Sequence, residues 1–446
     1  MNTYHVVMDP IMIRNVLQTD LSESIDLLSL WMLIYFLLLG ILPALFIYKV
    51  NIEYRPFRLE LISKLKTIGL SLFSIIILLF SFSQFYTSFF REHMSLRFYT
   101  NPTFWMYSIG DYVSKTLNSG PIVVQKVGLD AKVVRTNPVR KIVIMVVGEA
   151  TRADRFSLNG YKRDTNPLLK KEGVINFSNV SSCGTSTAYS VPCMFSIFDR
   201  SNYSHKKALR HENVLDVLKH TKDIAILWRD NNSNSKGVAD RVEYQDFKSA
   251  KNNPQCDGEC RDIGMLSGLG KYIAAHKDKD ILIVLHQMGN HGPAYYKRYP
   301  KEFEKFTPVC KTNQLEECSK VEINNAYDNG ILHTDYFLSK TIDFLKKYDK
   351  RDATAMLYMS DHGESLGENG IYLHGLPYIM APDAQTHIAS LVWLSKKMEQ
   401  IVDKKALEQE KNKEYSQDNL FNSLLGIFEV KTEAYKKEKS IFTIKK

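Results

Sequence analysis

Histidine and carboxylate side chains follow three apolar segments of this 446-residue chain, each where the segment ends. The segments span residues 142–147, 281–285 and 355–359. The polar residues after them are Glu149, His286, His291, Asp361, His362 and Glu364, with His374 a little downstream. Because strands of an open α/β sheet direct their carboxyl ends to one edge, we expect these side chains to lie close together. Carboxylate and imidazole ligands favour zinc, and suit manganese less well.

A run rich in serine, threonine and glycine at residues 182–190 supplies candidate nucleophiles, and an apolar helical pattern continues from it to Phe198. A hydroxyl at the start of that helix would lie beside free N–H groups and a dipole that favour an anion. Next to a metal ion, such a hydroxyl can attack phosphorus. A simple N-cap is the other interpretation, and the run alone does not choose between the two.

The elements that must position these residues form an alternating pattern. Apolar strand-like runs occupy residues 142–147, 224–228, 281–286, 355–359 and 388–394. Helical patterns occupy residues 214–220, 263–276 and 321–347, and a closing helix is predicted at 419–430. Such continuous apolar strands with intervening helices predict a largely parallel sheet covered on both faces. Residues 136–446 are therefore predicted to form an α/β/α catalytic domain.

Two stretches without any charged residue precede this domain, at residues 27–48 and 67–90. Each exceeds the roughly 20 residues that cross a hydrocarbon core, so we predict two transmembrane helices. The intervening loop, 49–66, carries five Lys or Arg residues against two Glu, which places it in the cytoplasm. Residues 1–26 and everything after residue 90 are then outside. The aromatic-rich region 91–135 is predicted to be a juxtamembrane bridging helix, with a plain linker helix as the alternative.

Six cysteines all lie in the predicted catalytic domain, and neighbours are 10, 4 and 8 residues apart. The pairs are Cys183 with Cys193, Cys256 with Cys260, and Cys310 with Cys318. Three local disulfides in an oxidising compartment explain this number economically. A metal site at Cys256 and Cys260 is the alternative for that pair. Disulfides agree with a domain outside the cytoplasm.

The composition excludes several classes of protein. Hydrophobic residues make up 44% of the chain and charged residues 24%, which is ordinary for a globular protein. The net charge of +9 is too weak for a nucleic-acid-binding tail, and it is compatible with an anionic membrane surface. The mean hydropathy of −0.23 argues against a polytopic membrane protein. We therefore expect a membrane-embedded protein without a nucleic-acid partner.

Taken together, these motifs resemble the phosphoethanolamine transferases that modify lipid A, including the mobile colistin-resistance enzymes, within the alkaline phosphatase and sulfatase superfamily. The resemblance rests on VGEATR at 147–152, CGTSTAYSVPC at 183–193, HQMGNHGP at 286–293, SDHGESLGE at 360–368 and HG at 374–375. It implies a sulfatase-like α/β/α domain in the periplasm, anchored in the inner membrane of a Gram-negative bacterium. The family disulfides match all three cysteine pairs.

The resemblance also implies residue roles. Thr187 is the nucleophile, and Glu149, Asp361 and His362 bind a zinc ion that also contacts the Thr187 oxygen. His291 and His374 bind the phosphoethanolamine phosphate or a second zinc, and either of them or Lys236 could assist proton transfer. Thr185, Asn232 and Lys236 match substrate-binding positions of the family.

The implied reaction moves phosphoethanolamine from phosphatidylethanolamine to a lipid A phosphate through a covalent intermediate on the threonine. The added ethanolamine cation lowers the negative charge of the outer membrane and so implies resistance to polymyxin and other cationic peptides. A monomer is expected.

The chain departs from the family pattern in two places. Family members have five membrane spans and this sequence shows two, so we expect it to begin after three absent helices. Near the C-terminus the family often has His where this chain has Gln417. The alternatives are a truncated, inactive membrane-anchored remnant and a phosphoglycerol-type transferase. The disulfide pattern argues against the latter, and a sulfatase would need a Cys-x-Pro-x-Arg nucleophile run, which does not accompany Thr187.

Overall fold

A computed structural model describes residues 6–19, 24–25, 27–51, 56–83, 85–86, 89, 93–117 and 122–445. Parts of the predicted segments 1–26, 49–66, 67–90 and 91–135 therefore lie outside the described residues. The chain divides into two compact units: one is Leu27–Trp105, and the other joins Met1–Asp26 to Met106–Lys446.

The described helices, in chain order, are α1 (Pro10–Gln18), α2 (Leu30–Lys49), α3 (Phe57–Ser81), α4 (Thr103–Leu117), α5 (Leu169–Glu172), α6 (Thr187–Met194), α7 (His205–Leu209), α8 (Val214–His220), α9 (Leu269–Ala275), α10 (Lys320–Lys346), α11 (Asp383–Thr386), α12 (Met398–Ile401), α13 (Lys404–Glu410) and α14 (Leu420–Ile427). The strands are β1 (Lys132–Val133), β2 (Lys141–Gly148), β3 (Ile175–Phe177), β4 (Val180–Ser181), β5 (Ile224–Asp230), β6 (Glu243–Asp246), β7 (Asp280–His286), β8 (Ala353–Ser360), β9 (Ser365–Glu368), β10 (Ile371–Leu373), β11 (Ser390–Leu394), β12 (Tyr415–Ser416) and β13 (Val430–Lys431).

The smaller unit contains two helices, α2 and α3, that are long and apolar enough to cross a membrane. Neither helix buries side chains inside its own unit, as expected for surfaces that face lipid. A π-helical turn at Phe36–Ile41 interrupts α2 just before Pro43, whose ring nitrogen cannot donate to the preceding turn.

The second helix begins earlier than the uncharged stretch 67–90 suggests, because α3 starts at Phe57 and ends at Ser81. The uncharged stretch shows only the apolar part of the helix. The helix itself begins earlier because charged residues such as Glu60 and Lys64 also favour helical structure. These two side chains lie one turn apart and form an ion pair of 3.4 Å. In the region 91–135, the described structure is a 3-10 turn at Met94–Tyr99, then α4 and β1, so a helix occupies only part of it.

The larger unit is built on a seven-stranded sheet with the order β3-β11-β8-β2-β7-β5-β6. The five strands from β8 to β6 are mutually parallel, and β11 runs antiparallel to both β8 and β3. The prediction of a mostly parallel sheet is thus confirmed, with the strand near residues 388–394 as the antiparallel exception.

Side chains of the central strand alternate between two hydrophobic cores. Val143 and Met145 of β2 pack with residues of α8 and α14 in one core. Ile142 and Ile144 pack with residues of α9 and α10 in the other core. This period of two places helices on both faces of the sheet, which is the predicted α/β/α layering.

Candidate nucleophile and metal site

The two carboxylates that the sequence singled out follow neighbouring strands. Gly148 at the end of β2 pairs in register with Ser360 at the end of β8, so Glu149 and Asp361 leave the sheet side by side. Ala150 adopts a φ of 52°, which turns the chain sharply after Glu149, and its N–H donates to Asp361 Oδ1 over 3.2 Å. The predicted meeting of strand ends therefore occurs for these two residues.

Thr187 is the first residue of α6, and its side chain points to the same place. Its Oγ1 donates to Glu149 Oε2 over 3.1 Å and lies 3.3 Å from His362 Nε2. The N-cap of α6 is Ser186, whose side chain makes no capping hydrogen bond among the described residues. The capping interpretation of Thr187 is therefore wrong, because its hydroxyl contacts the carboxylate and imidazole instead of the backbone.

Three oxygen atoms surround one nitrogen at this point. His362 Nε2 lies 3.3 Å from each of Glu149 Oε1, Asp361 Oδ2 and Thr187 Oγ1. His362 Nδ1 lies 2.8 Å from the carbonyl oxygen of Gly363, which assigns the proton to Nδ1 and leaves a lone pair on Nε2. Both carboxylates and the imidazole are fully buried.

Two buried carboxylates facing a nitrogen lone pair are unfavourable without a compensating positive charge. Asp361 Oδ2 accepts no hydrogen bond within the described part of the chain. Burial and the neighbouring His374 lower the pKa of His362, although Asp361 opposes this, so the ring is neutral as a metal ligand requires. The ligand atoms of Glu149, Asp361 and His362 lie within 4.8 Å of one another, so a divalent zinc ion fits their charge and chemistry.

A second group of titratable residues adjoins the first. His374 Nδ1 lies 2.8 Å from Glu364 Oε2, and Tyr295 donates to Glu364 Oε1 over 2.7 Å. The ring centre of His374 lies 4.2 Å from that of His362 and 5.7 Å from that of His291. The structure therefore brings His291 and His374 to the candidate metal site. Glu364, which the sequence placed among the polar residues after the strands but gave no specific role, holds His374 in this group.

The predicted substrate-binding residues lie at different places. Asn232 donates to Glu149 Oε2 over 2.8 Å and to the carbonyl of Gln287 over 2.7 Å, which fixes the carboxylate. Thr185 donates to the carbonyl of Leu376 over 2.6 Å. The Lys236 ammonium lies 3.3 Å from the carbonyl oxygen of Gln18 at the end of α1. Asn232 thus contacts the site directly, and Lys236 faces the N-terminal helix.

Two buried aspartates that the sequence did not mark hold the loops of the site. Asp230 accepts from the N–H groups of Asn232 and Asn234 and contacts His286 Nδ1 at 3.0 Å, so His286 supports this loop. Asp262 accepts from the N–H groups of Met288 and Gly289, which precede His291. A lone Asp after a strand or in a turn is common, so only the folded contacts distinguish these two.

All three predicted cysteine pairs are joined in the structure: Cys183 to Cys193, Cys256 to Cys260, and Cys310 to Cys318. The first bridge joins Cys183, which precedes α6, to Cys193 near the end of that helix. It restricts the backbone that carries the nucleophile candidate.

Gln417 connects the segment before Thr187 to the end of β8. Its Oε1 accepts from the N–H of Cys183 over 2.7 Å, and its Nε2 donates to the carbonyls of Ser360 and Asp361 over 2.8 and 2.7 Å. The side chain is fully buried. An amide can satisfy one donor and two acceptors here, which explains why glutamine serves at this position.

We expect Gln417→Ala to lower the free energy of unfolding by about 1–3 kcal/mol, because it leaves three buried backbone groups without a partner. Thermal unfolding of the purified full chain measures this as a lower melting temperature. Gln400→Ala, at an exposed position, is the matched control and should leave the melting temperature unchanged. Equal melting temperatures for both variants would contradict the connecting role.

A threonine hydroxyl at a helix N-terminus, facing carboxylate and histidine side chains at the carboxyl edge of a mostly parallel sheet, is the arrangement of the alkaline phosphatase and sulfatase class of enzymes. Residues 141–430 match the family described as Sulfatase, and residues 1–117 match the family described as Phosphoethanolamine transferase EptA/EptB. The chain belongs to the phosphoethanolamine transferase family, which confirms the resemblance seen in the motifs.

Relatives support this assignment over most of the chain. Phosphatidylethanolamine transferase Mcr-2 of Escherichia coli is 47% identical over 408 residues, which cover 88% of this chain and 75% of that protein. Phosphoethanolamine transferase EptA of Salmonella typhimurium is 41% identical over 445 residues, with coverages of 97% and 80%. The structure of the integral membrane lipooligosaccharide phosphoethanolamine transferase EptA from Neisseria meningitidis matches with a TM-score of 0.93 and 37% identity, covering 99% of this chain and 83% of that one. With two apolar helices in the smaller unit, the chain is a membrane-anchored protein with a C-terminal soluble domain.

Proposed function

We propose that this chain transfers phosphoethanolamine from phosphatidylethanolamine to a phosphate of lipid A through a covalent intermediate on Thr187. The observation that carries the proposal is the Thr187 hydroxyl, 3.1 Å from Glu149 and 3.3 Å from His362 at a buried site beside Asp361. The names of the relatives, phosphatidylethanolamine transferase and phosphoethanolamine transferase, support the substrate class.

In the first step, the Thr187 oxygen bonds to the phosphorus of phosphatidylethanolamine, and the bond from phosphorus to the diacylglycerol oxygen breaks. The proton that Thr187 loses is passed to the departing oxygen, so diacylglycerol leaves as the neutral alcohol. Glu149 Oε2 accepts the hydroxyl hydrogen bond and so orients the oxygen for attack. A zinc ion held by Glu149, Asp361 and His362 would lower the hydroxyl pKa and neutralise phosphoryl charge.

In the second step, a phosphate oxygen of lipid A bonds to the same phosphorus and the bond to the Thr187 oxygen breaks, which restores the hydroxyl. Phosphoryl transfer depends mainly on positioning and charge stabilisation. The α6 N-terminus adds a favourable dipole where negative charge accumulates. Asn232 keeps Glu149 in place, and we assign Thr185 and Lys236 to the rim that receives the donor headgroup.

His291 and His374 are proposed to contact the transferred phosphoryl group and to carry protons. Burial, with nearby His374 and Arg298, holds the pKa of His291 well below its ordinary value, so the ring is neutral. Glu364 orients His374 through the 2.8 Å contact. One zinc is proposed at Glu149, Asp361 and His362, and a second zinc at His291 and His374 is the alternative use of these two histidines.

We expect His291→Gln to reduce turnover by about 10²–10⁴-fold while bound zinc is retained, because the variant removes a proton-transfer group and leaves Glu149, Asp361 and His362. Rates of phosphoethanolamine transfer in detergent, with metal content by mass spectrometry, test this. His276→Gln, on a ring that contacts Tyr272, is the control and should keep the wild-type rate. Loss of zinc in His291→Gln would instead make His291 a metal ligand.

For the location, we propose a monomer in the inner membrane of a Gram-negative bacterium, with residues 1–26 and 136–446 in the periplasm and the loop 49–66 in the cytoplasm. Five basic residues in that loop against two acidic ones support this orientation. The three disulfides support an oxidising compartment for the catalytic domain. Modified lipid A would carry less negative charge, and the cell would resist polymyxin.

Expression in a polymyxin-sensitive Gram-negative host tests the function directly. Lipid A is extracted and its mass is compared with and without expression, and isotopically labelled ethanolamine identifies the added group. The expected result is a lipid A species that contains one added phosphoethanolamine. Unmodified lipid A from a folded, zinc-loaded protein would reject the transferase and favour an inactive membrane-anchored remnant. Transfer of phosphoglycerol would identify the other enzyme class.

A further inference from the structure

A cavity of about 720 Å³ lies in the larger unit beside α1, and the reaction as derived above does not use it. Its wall combines α1, the last turns of α4 and the segment from Tyr203 to Arg210. Apolar residues such as Ile11 and Leu209 share the wall with several cations. The size is within the range of ligand pockets, and we call it the Arg14 cavity.

Three polar groups in the wall lack a partner among the residues that the structure describes. Tyr203 is 7% exposed, and its hydroxyl has no hydrogen bond within the described ranges. The same holds for His205 Nδ1. Arg14 is half-buried, and the structure gives its guanidinium neither a hydrogen bond nor an ion pair with any residue it describes. A buried polar group without a partner is costly, so the Tyr203 hydroxyl and the His205 ring favour a ligand with polar atoms in this cavity, and the half-buried Arg14 guanidinium can donate to the same ligand.

These groups are also close to one another. Burial lowers the pKa of Arg14, while Tyr203, Tyr112, Tyr189 and the carboxylate of Asp9 act in the opposite direction. Burial and the nearby Arg14 lower the pKa of His205 to about 4, so the ring is neutral at physiological pH. The cationic group and the two neutral polar groups therefore face a common space from α1 and from the segment around α7.

The charge of the wall selects the ligand. Four cations line the cavity, and no Asp or Glu is among its described lining residues. The cations are Arg14, Lys115, Lys206 and Arg210, of which Lys115 also pairs with Asp111 over 2.7 Å. A phosphate monoester carries up to two negative charges and matches this wall. Asp9 acts on Arg14 but lines the neighbouring cavity and not this one, so the wall of the Arg14 cavity suits a phosphate better than an ammonium group.

The cavity reaches the helix that carries the nucleophile candidate. Tyr189 follows Thr187 by two residues in α6 and lines the Arg14 cavity. Tyr189 and Ile11 also line a neighbouring cavity of about 290 Å³, together with Thr185 and Gly375. A molecule in the Arg14 cavity thus lies against α6.

We propose that the Arg14 cavity binds the phosphate monoester of an acceptor glycolipid, with Arg14, Tyr203 and His205 as the phosphate-contacting residues. The identification of this ligand as the acceptor rests on the proposed function. The apolar part of the wall contacts the start of the lipid chains. The donor headgroup, at the rim of Thr185 and Lys236, then occupies a different place from the acceptor phosphate at Arg14, Tyr203 and His205.

Binding to the full chain in lipid nanodiscs tests the proposal, in a Thr187→Ala background that prevents turnover. The probes are lipid A, dephosphorylated lipid A and inorganic phosphate. Arg14→Gln and Tyr203→Phe should each weaken lipid A binding by about tenfold or more, and should not change binding of dephosphorylated lipid A. Tyr203→Phe removes only a hydroxyl, so it tests the contact with the shape preserved. Arg351→Gln, at an exposed position, removes one positive charge elsewhere and should bind like the parent.

A second measurement separates this proposal from the proposed function. It follows the attachment of phosphoethanolamine to Thr187 by intact mass, in chains that keep Thr187. Normal loading of Arg14→Gln with impaired transfer to lipid A supports an acceptor site. The acceptor site is overturned if both variants bind lipid A as tightly as the parent. It is also overturned if Arg14→Gln loses loading of Thr187 and transfer to lipid A to the same extent. Displacement of lipid A by millimolar inorganic phosphate in the parent but not in Arg14→Gln overturns the glycolipid assignment in favour of free phosphate. A wild type that never loads but binds lipid A in a phosphate-dependent way rejects the proposed function and supports the phosphate site.

Discussion

Thr187→Ala is expected to reduce phosphoethanolamine transfer to lipid A by on the order of 10³-fold or more, because it removes the oxygen that bonds to phosphorus. The bound zinc should largely remain, since Glu149, Asp361 and His362 are unchanged. The measurement is lipid A mass spectrometry in cells, with transfer rates and metal content of the purified chain. No other hydroxyl in the described structure contacts both Glu149 and His362, so a substitute nucleophile is not expected.

Two further variants control this prediction. Thr187→Ser keeps a hydroxyl at the start of α6 and should retain measurable transfer. Ser190→Ala removes a buried hydroxyl from the same helix, one turn away from the nucleophile, and should leave both zinc and transfer near wild type. Wild-type transfer in Thr187→Ala would refute the covalent intermediate on this residue. Loss of zinc from Thr187→Ala would show that the hydroxyl is needed mainly to bind the metal.

Removal of the metal is expected to destabilise the wild type and to leave the stability of Asp361→Asn unchanged. The wild type holds two buried carboxylates with atoms within 4.8 Å of one another, and two such charges repel by up to about 4 kcal/mol at an effective dielectric constant near 20. A zinc ion present at about 1,000 times its dissociation constant would stabilise the folded state by about 4 kcal/mol. Chelation should therefore lower the melting temperature of the wild type strongly.

Asp361→Asn should bind zinc weakly, lose transfer activity, and unfold at the same temperature with and without chelator. Its amide oxygen can keep the hydrogen bonds that Asp361 Oδ1 accepts from Ala150 and His362, so the backbone is preserved. The chelated variant should be more stable than the chelated wild type, because one buried charge is gone. Asp278→Asn, at an exposed position, should respond to chelation like the wild type. A chelator-sensitive Asp361→Asn would argue against a metal at this carboxylate.

Local features of the sequence determined much of the protein. Apolar runs such as 142–147 and 281–285 were sufficient to place the central strands, because burial on both faces requires continuous apolar residues. The uncharged stretches identified the two apolar helices, and short separations identified the cysteine pairs. The clusters at strand ends located Glu149, Asp361 and His362 before any contact was known. Each of these features depends on neighbours within one element or on the chemistry of a short motif.

The tertiary structure decided which of these elements meet. Ala150 and Asp361 are 211 positions apart, and they contact because β2 and β8 are neighbours in the sheet. Gln417 reaches Cys183 across 234 positions, and Asp230 contacts His286 across 56 positions because β5 lies beside β7. No local pattern encodes such pairings, because strand order depends on how all side chains fill the two cores together. For the same reason the antiparallel direction of β11 and the position of α1 beside the Arg14 cavity follow from packing and not from periodicity.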